Sequence, residues 1–226
     1  MFLFHLMNKN SKNEGGEFCS NGVFLYPYTS FSLQLRMQMQ NSYQGESAMK
    51  VVIIRHGKVD FKWKTWSSSE QFNEECKMYD EAPIIPMLFD IPKIDYQNIY
   101  ISSMQRSKDT ANQIFGEKDF ISTKLIDEVP LCASIATNKK FPLLFWNISG
   151  RLQWLFNIRK QKECRKETIH RAEKFVEMIT EKREDCVIVT HGFFMHTLIK
   201  VMKNNAFHIN HTRLSYSNGE CMIAEQ

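Results

Sequence analysis

The sequence predicts an α/β fold: a three-layer αβα sandwich on a mostly parallel sheet, with an antiparallel C-terminal hairpin and a helical insertion. Three observations carry this. "KVVII" and "CVIVT" are unbroken apolar runs of strand length, as strands covered on both faces must be. Strand-like and helix-like stretches alternate from Met49 onward. The end of the chain, "RLSYSNGECMIAE", reads as two strands around an Asn218-Gly219 turn.

Residues 1–48 mix Asn, Ser, Gly and Gln with isolated aromatics and hold neither period, so they read as a poorly ordered extension. The folded domain is expected over 49–226. "KVVII" opens it, and a helix is expected at about Ser68–Tyr79, capped by the serine cluster before it. "NIYIS" is the second strand, and the helix over "RSKDTANQIFG" closes on Gly116. A short strand is expected around Phe120–Ile126. "RKETIHRAEKFVEMITEKRE" is an amphipathic helix whose apolar stripe is Ile169, Ala172, Phe175, Val176 and Ile179. "CVIVT" and the helix "FFMHTLIKVMK" precede the terminal hairpin.

The chain has 226 residues, 43% hydrophobic and 24% charged, which suits one globular domain with a decoration. A net charge of +4 does not argue for nucleic acid. The six cysteines are scattered without C-x-x-C, which reads as free thiols and not as a zinc site. No run approaches the roughly 20 apolar residues of a membrane span. "MFLFHL" is too short for a signal-peptide core, so a cytoplasmic location is the expectation. Nothing in the sequence speaks to oligomeric state.

The chemistry gathers where strands end. In open α/β sheets ligands bind beyond the carboxyl ends of the strands. Those ends deliver Arg55-His56-Gly57, then Ser102-Ser103 with Arg106 in the next helical turn, then Asp127-Glu128, then His191-Gly192. Two arginines, two histidines and a carboxylate at one sheet edge are hard to explain as packing. Arginine matches phosphate oxygens with paired donors, and a helix start adds free N–H groups. With that much fixed positive charge, a transferring phosphoryl group needs neither a metal nor another cofactor.

"IIRHGK", "ISSMQRSKDTA", "LIDEVP" and "VIVTHG" resemble, in order and approximate spacing, the histidine phosphatase superfamily with its phosphoglycerate-mutase-like fold. The resemblance implies His56 as a nucleophile that forms a phosphohistidine. It implies Arg55, Arg106 and His191 on the phosphoryl oxygens; Gly57 and Gly192 after the histidines let the backbone approach closely, and Lys58, outside the family pattern, adds a cation at the rim. It also implies a carboxylic acid after the third strand. Glu128 is the choice, because Ile126 and Glu128 share a side-chain direction if that strand alternates; Asp127 is the alternative. The implied function is metal-independent hydrolysis of a phosphate monoester, on a small molecule or a peptide, with neither nucleic acid nor membrane as partner. A phosphoglycerate-mutase-type phosphotransferase or a catalytically silent phosphate-binding module are the alternatives. The chain departs from many members after R-H-G, where it has Lys58, Val59, Asp60 and Phe61, and it lacks the Trp-Asn pair of the mutases.

The stretch 130–162 interrupts the alternation with lysines and arginines among Phe141, Phe145, Trp146, Trp154 and Phe156. A cap over the active face and a peripheral helical pair with core aromatics both fit. Elsewhere His170 is expected to be exposed, His196 to be a surface or packing residue, and His208-x-x-His211 not to be a metal site.

Overall fold

The computed structural model describes residues 48–209 and 216–226. The expected extension over 1–48 lies, but for Ala48, outside the described residues, as does His211. In chain order the elements are β1 (Lys50–Arg55), β2 (Trp66–Ser67), α1 (Ser69–Glu81), β3 (Asn98–Ser102), α2 (Gln105–Phe115) and β4 (Ile121–Thr123). A 3₁₀ turn (Lys124–Ile126), β5 (Phe141–Pro142), α3 (Leu143–Leu155) and α4 (Arg165–Lys182) follow. Last come β6 (Cys186–Thr190), α5 (Gly192–Asn204), β7 (His208–Ile209) and β8 (Cys221–Glu225).

The main sheet runs β4-β3-β6-β1-β8-β7. β4, β3, β6 and β1 are mutually parallel, while β8 runs antiparallel to both β1 and β7. Val51, Val52, Ile53 and Ile54 have no exposed surface, as the continuous apolar run demands. One sheet face packs Val52, Ile54, Ile99, Ile101, Val187 and Val189 around Ala111 of α2. On the other face the Tyr100 ring meets Phe175 of α4 edge-on at 5.5 Å. Helices on both faces give the three layers.

Local signals set the helix ends. Ser68 and Gln71 form a reciprocal capping box before α1. Gly116, at φ 71°, ends α2, a conformation that costs a glycine little. In α4, Ala172, Phe175, Val176 and Ile179 are buried as the stripe requires, and His170 is exposed.

The register sets the active edge. Arg55 of β1 lies level with Thr190 of β6, so the next residues, His56 and His191, become neighbours. Ile101 lies level with Val189, which brings Ser102 to the same row.

One expectation changes. The strand expected over Phe120–Ile126 ends at Thr123, whose Oγ1 accepts from the Leu125 N–H and starts the 3₁₀ turn. Distant donors hold that turn: Arg171 Nη1 donates to the Leu125 carbonyl at 2.9 Å and Thr190 Oγ1 to the Ile126 carbonyl at 2.7 Å. The C-terminal antiparallel pair is present: β8 pairs with His208–Ile209, while residues 213–215 of the expected hairpin lie outside the described residues. The Asn218-Gly219 turn has another task.

Candidate active site

His56 follows β1 and is 2% exposed. Its Nδ1 lies 2.7 Å from the Gly57 carbonyl oxygen. A carbonyl only accepts, so Nδ1 carries the proton and Nε2 keeps its lone pair free. Burial lowers the His56 pKa from 6.5 to about 3, and the positive charges of Arg106 and Arg55 push the same way. The ring is therefore neutral. Gly57 is held from two sides. Its N–H donates to Thr110 Oγ1 at 2.8 Å, and Asn218 Nδ2 donates to its carbonyl at 3.2 Å and to that of His56 at 3.1 Å. The Gly219 N–H donates to the Arg55 carbonyl at 3.1 Å. The C-terminal turn thus clamps the Arg55–Gly57 backbone.

His191 is fully buried, its ring centroid 5.0 Å from that of His56. Arg106 Nε donates to its Nδ1 at 3.1 Å, so this ring carries its proton on Nε2. That proton goes to Ser102 Oγ at 2.7 Å, and Ser102 donates onward to Asp127 Oδ1 at 2.7 Å. Burial, then Arg106, hold the His191 pKa well below its ordinary value, so this ring is neutral too. Arg106 is 1% exposed and extends the chain of contacts to Asp80, Nη1 to Oδ1 at 2.9 Å.

The two acidic candidates separate. Asp127 accepts from Ser102 Oγ, Ser103 N–H and Ser103 Oγ, each at 2.7 Å. Glu128 stands at the start of α5. Its Oε1 accepts from the Val129 N–H at 2.9 Å and the Phe194 N–H at 3.0 Å, while Oε2 has one donor, the Phe193 N–H at 3.2 Å. The alternation argument for Glu128 does not apply, because the residues before it form a 3₁₀ turn and not a strand.

Gly192 opens α5, and a Cβ there would meet Arg55 Nε at 2.7 Å. Its bareness lets the Arg55 guanidinium lie against the helix start, where Nη1 donates to the Tyr216 carbonyl. Arg55 Nε is buried with no hydrogen-bond partner. An orphaned buried donor at a site of positive charge suits an anionic ligand. Lys58 is exposed, and its carbonyl accepts from the Ile85 N–H at 2.7 Å.

A cavity of about 270 Å³ is lined by Arg106 and Glu128 together with Trp63, Cys76, Tyr79, Asp80, Met104, Val129, Pro130, Leu131 and the α3 residues Leu143, Asn147 and Arg151, while Arg55, His56 and His191 are not among its lining residues. The segment 130–162 forms one helix, not a pair. Trp146 and Trp154 of α3 are core, while another side of the same helix faces the cavity. The sequence offers no site role for Thr110, Asn218, Asp80 or Arg151. Thr110 comes nearest to one, since it lies one turn beyond Arg106 on α2. Asp80 gave no signal, because its partner belongs to another element. Among the described residues no three metal-ligating side chains converge.

No curated protein sequence is significantly similar to this chain. Solved structures are. An Escherichia coli protein described as a putative alpha-ribazole-5'-P phosphatase aligns at 14% identity and TM-score 0.51, over 79% of this chain and 91% of that one. A mycobacterial glucosyl-3-phosphoglycerate phosphatase aligns at 15% identity and TM-score 0.48, covering 78% and 90%. A phosphoserine phosphatase mutant of Entamoeba histolytica, in complex with phosphoserine, aligns at 15% identity and TM-score 0.46, covering 77% and 89%. The sequence model of the histidine phosphatase superfamily (branch 1) matches residues 90–225. That span includes Arg106, Glu128 and His191 and begins after Arg55-His56-Gly57, whose place beside them rests on the β1–β6 register. The chain belongs to the histidine phosphatase superfamily, branch 1.

Proposed function

We propose that this chain is a metal-independent phosphatase that hydrolyses a phosphate monoester through a phosphohistidine on His56. The observation that carries the reading is the Nδ1 contact with the Gly57 carbonyl, which leaves Nε2 of a neutral, buried ring as the nucleophile. In the first step Nε2 attacks phosphorus in line, the N–P bond forms and the P–O bond to the alcohol breaks. Glu128 Oε2 gives its proton to the departing oxygen. In the second step water attacks phosphorus, its proton passes to Glu128, and the N–P bond breaks to release phosphate. Arg55 and Arg106 stay charged at all working pH values and hold the phosphoryl oxygens as their charge spreads, with His191 beside them. Those fixed cations support turnover without a divalent metal.

The test is a chemical trap. Full-length protein mixed with a labelled phosphate ester and quenched in alkali should carry acid-labile, base-stable phosphate. His56→Asn, whose side-chain N–H can still donate to the Gly57 carbonyl, should carry none and should lose turnover by more than about 10³-fold, as loss of a covalent nucleophile does. Labelled phosphate retained in His56→Asn, or activity that chelator removes and added metal restores, would defeat the reading.

A further inference from the structure

The segment 129–162 carries a charge that the whole-chain value hides. It holds Lys139, Lys140, Arg151, Arg159, Lys160 and Lys162 and neither Asp nor Glu, so it stands at +6 where the whole chain stands at +4. All of these but Arg151 are exposed, and they flank α3. Lys139 and Lys140 come just before it, and Arg159, Lys160 and Lys162 come just after. A run of cations alone is an ordinary solvated face. What lies between these two groups is not ordinary.

Leu144, Ile148, Leu152 and Leu155 recur at steps of four, four and three residues, which is one side of a helix. That side is neither the one that buries Trp146, Gly150 and Trp154 nor the one that lines the cavity with Leu143, Asn147 and Arg151. Leu144 is 67% exposed, and Ile148 is exposed as well. Trp66 of β2, level with Pro142 at the entry to α3, is 57% exposed. Phe156, which ends the helix, is 67% exposed, and Ile158 beyond it is exposed too. Large apolar side chains gathered in this way around one helix mark a contact surface, whereas single scattered ones do not.

The occupant must match both features. Exposed cations without an acid among them call for a negative surface, and the apolar side chains between them call for hydrocarbon. A second copy of this chain fits poorly, because a two-fold contact would set like cations against each other. A bilayer with anionic headgroups offers both features in layers, charge outside and acyl chain beneath. Trp66 and Phe156 are of the kind that settles at that boundary, and lysine stems reach from it to the headgroups. The 13 residues of α3 span about 20 Å, and such a helix lies in the plane of the surface. It needs no spanning run, and none of the described helices is long and apolar enough to cross a membrane. The expectation of no membrane partner rested on spanning runs alone.

We propose that the exposed side of α3, with Trp66 and the turn over 156–162, is a docking surface for a bilayer of anionic phospholipid. This does not depend on the phosphatase reading.

The test is co-sedimentation of the full-length protein with vesicles of phosphatidylcholine mixed with phosphatidylserine, and with vesicles of phosphatidylcholine alone. Binding should be at least about tenfold tighter to the mixed vesicles and should weaken as salt is added. Leu144→Ser combined with Ile148→Ser should weaken it by at least about tenfold at an unchanged melting temperature, since both side chains are exposed and neither lines the cavity. Lys139→Glu combined with Lys140→Glu should weaken it as much and flatten its salt dependence. Equal binding to the two kinds of vesicle, or binding to neither, overturns the proposal. So does binding that survives the two serines, which would be adsorption by charge alone. If the serines lower the melting temperature, the fully exposed lysine positions decide by themselves. Sedimentation velocity without lipid tests the competing occupant: a dimer that the serines dissociate would make this side an interface between copies, and the proposal would fall.

Discussion

A single carbonyl oxygen, that of Gly57, determines which nitrogen of His56 carries its proton, and the proposed chemistry of the site starts from it. The same reasoning divides the neighbouring acids. Asp127 is tied by three 2.7 Å contacts to Ser102 and Ser103, whereas Glu128 keeps an oxygen with one 3.2 Å donor and lines the cavity. Glu128→Gln should therefore slow hydrolysis of alkyl phosphates by about 10²–10⁴-fold and matter far less for p-nitrophenyl phosphate, whose leaving group needs no proton. Asp127→Asn should slow both esters alike, because it loosens Ser102 and His191 and carries no proton to the leaving group. A leaving-group dependence in Asp127→Asn alone would exchange the two roles. The buried rings also set the pH response of stability. His56 sits at about 3 in the folded chain and near 6.5 unfolded, so on acidification the unfolded chain takes the proton first. Its contribution is complete above pH 6.5 and drains away as pH falls toward 3, and His191 acts in the same direction. The His56 ring should cost about 1.4 kcal/mol per pH unit below 6.5. Melting temperature measured from pH 7.5 to 5 should fall less steeply in His56→Asn than in wild type, and equal slopes would show that the ring is not the source.

The elements differ in how plainly the sequence announced them. β1, β3 and β6 were legible because a strand covered on both faces is largely apolar, and these runs are too short and too β-branched or aromatic for a buried helix. The turn before Asp127 was not, since Arg171 and Thr190 hold it from far along the chain. α3 looked ambiguous for a physical reason: Trp146 and Trp154 are core while Leu143, Asn147 and Arg151 line the cavity, so one helix does both tasks. The strand-end basic residues could be read because a sheet edge collects them, whereas Asp80 needed coordinates. At the start of α5, Gly192 is the element's contribution to the site, since a side chain there would occupy the space of the Arg55 guanidinium. Gly192→Ala should leave the helix intact, as alanine favours helices more than glycine, and should lower kcat/KM for p-nitrophenyl phosphate by at least about tenfold through displaced Arg55. Unchanged kinetics with an unchanged melting temperature would show that Arg55 need not lie against α5.

Among the described residues, backbone pairing of the sheet begins at Met49. The Met49 N–H donates to the Gln226 carbonyl at 3.1 Å, and the Gln226 N–H donates back to the Met49 carbonyl at 3.0 Å. The Lys50 N–H is taken by Asp185 Oδ1 at 2.7 Å, so the first residues of β1 are tied both to β8 and to the segment before β6. Met49–Gln226 also clusters as one compact unit. Each site residue from Arg55 to Gly192, and the Asn218-Gly219 turn that clamps them, lies within it. A chain starting at Met49 should therefore fold cooperatively by itself. It should hydrolyse p-nitrophenyl phosphate with kcat/KM within roughly twofold of the full chain, since none of the groups proposed to touch the reacting phosphoryl is removed. Its melting temperature should differ by only a few degrees, which for a domain of this size corresponds to about 1 kcal/mol. Thermal unfolding and steady-state kinetics of the two chains, side by side, check both statements. A broad, non-cooperative transition in the shorter chain would mean that residues before Met49 belong to the core. Cooperative unfolding with activity lost would assign those residues to the site instead.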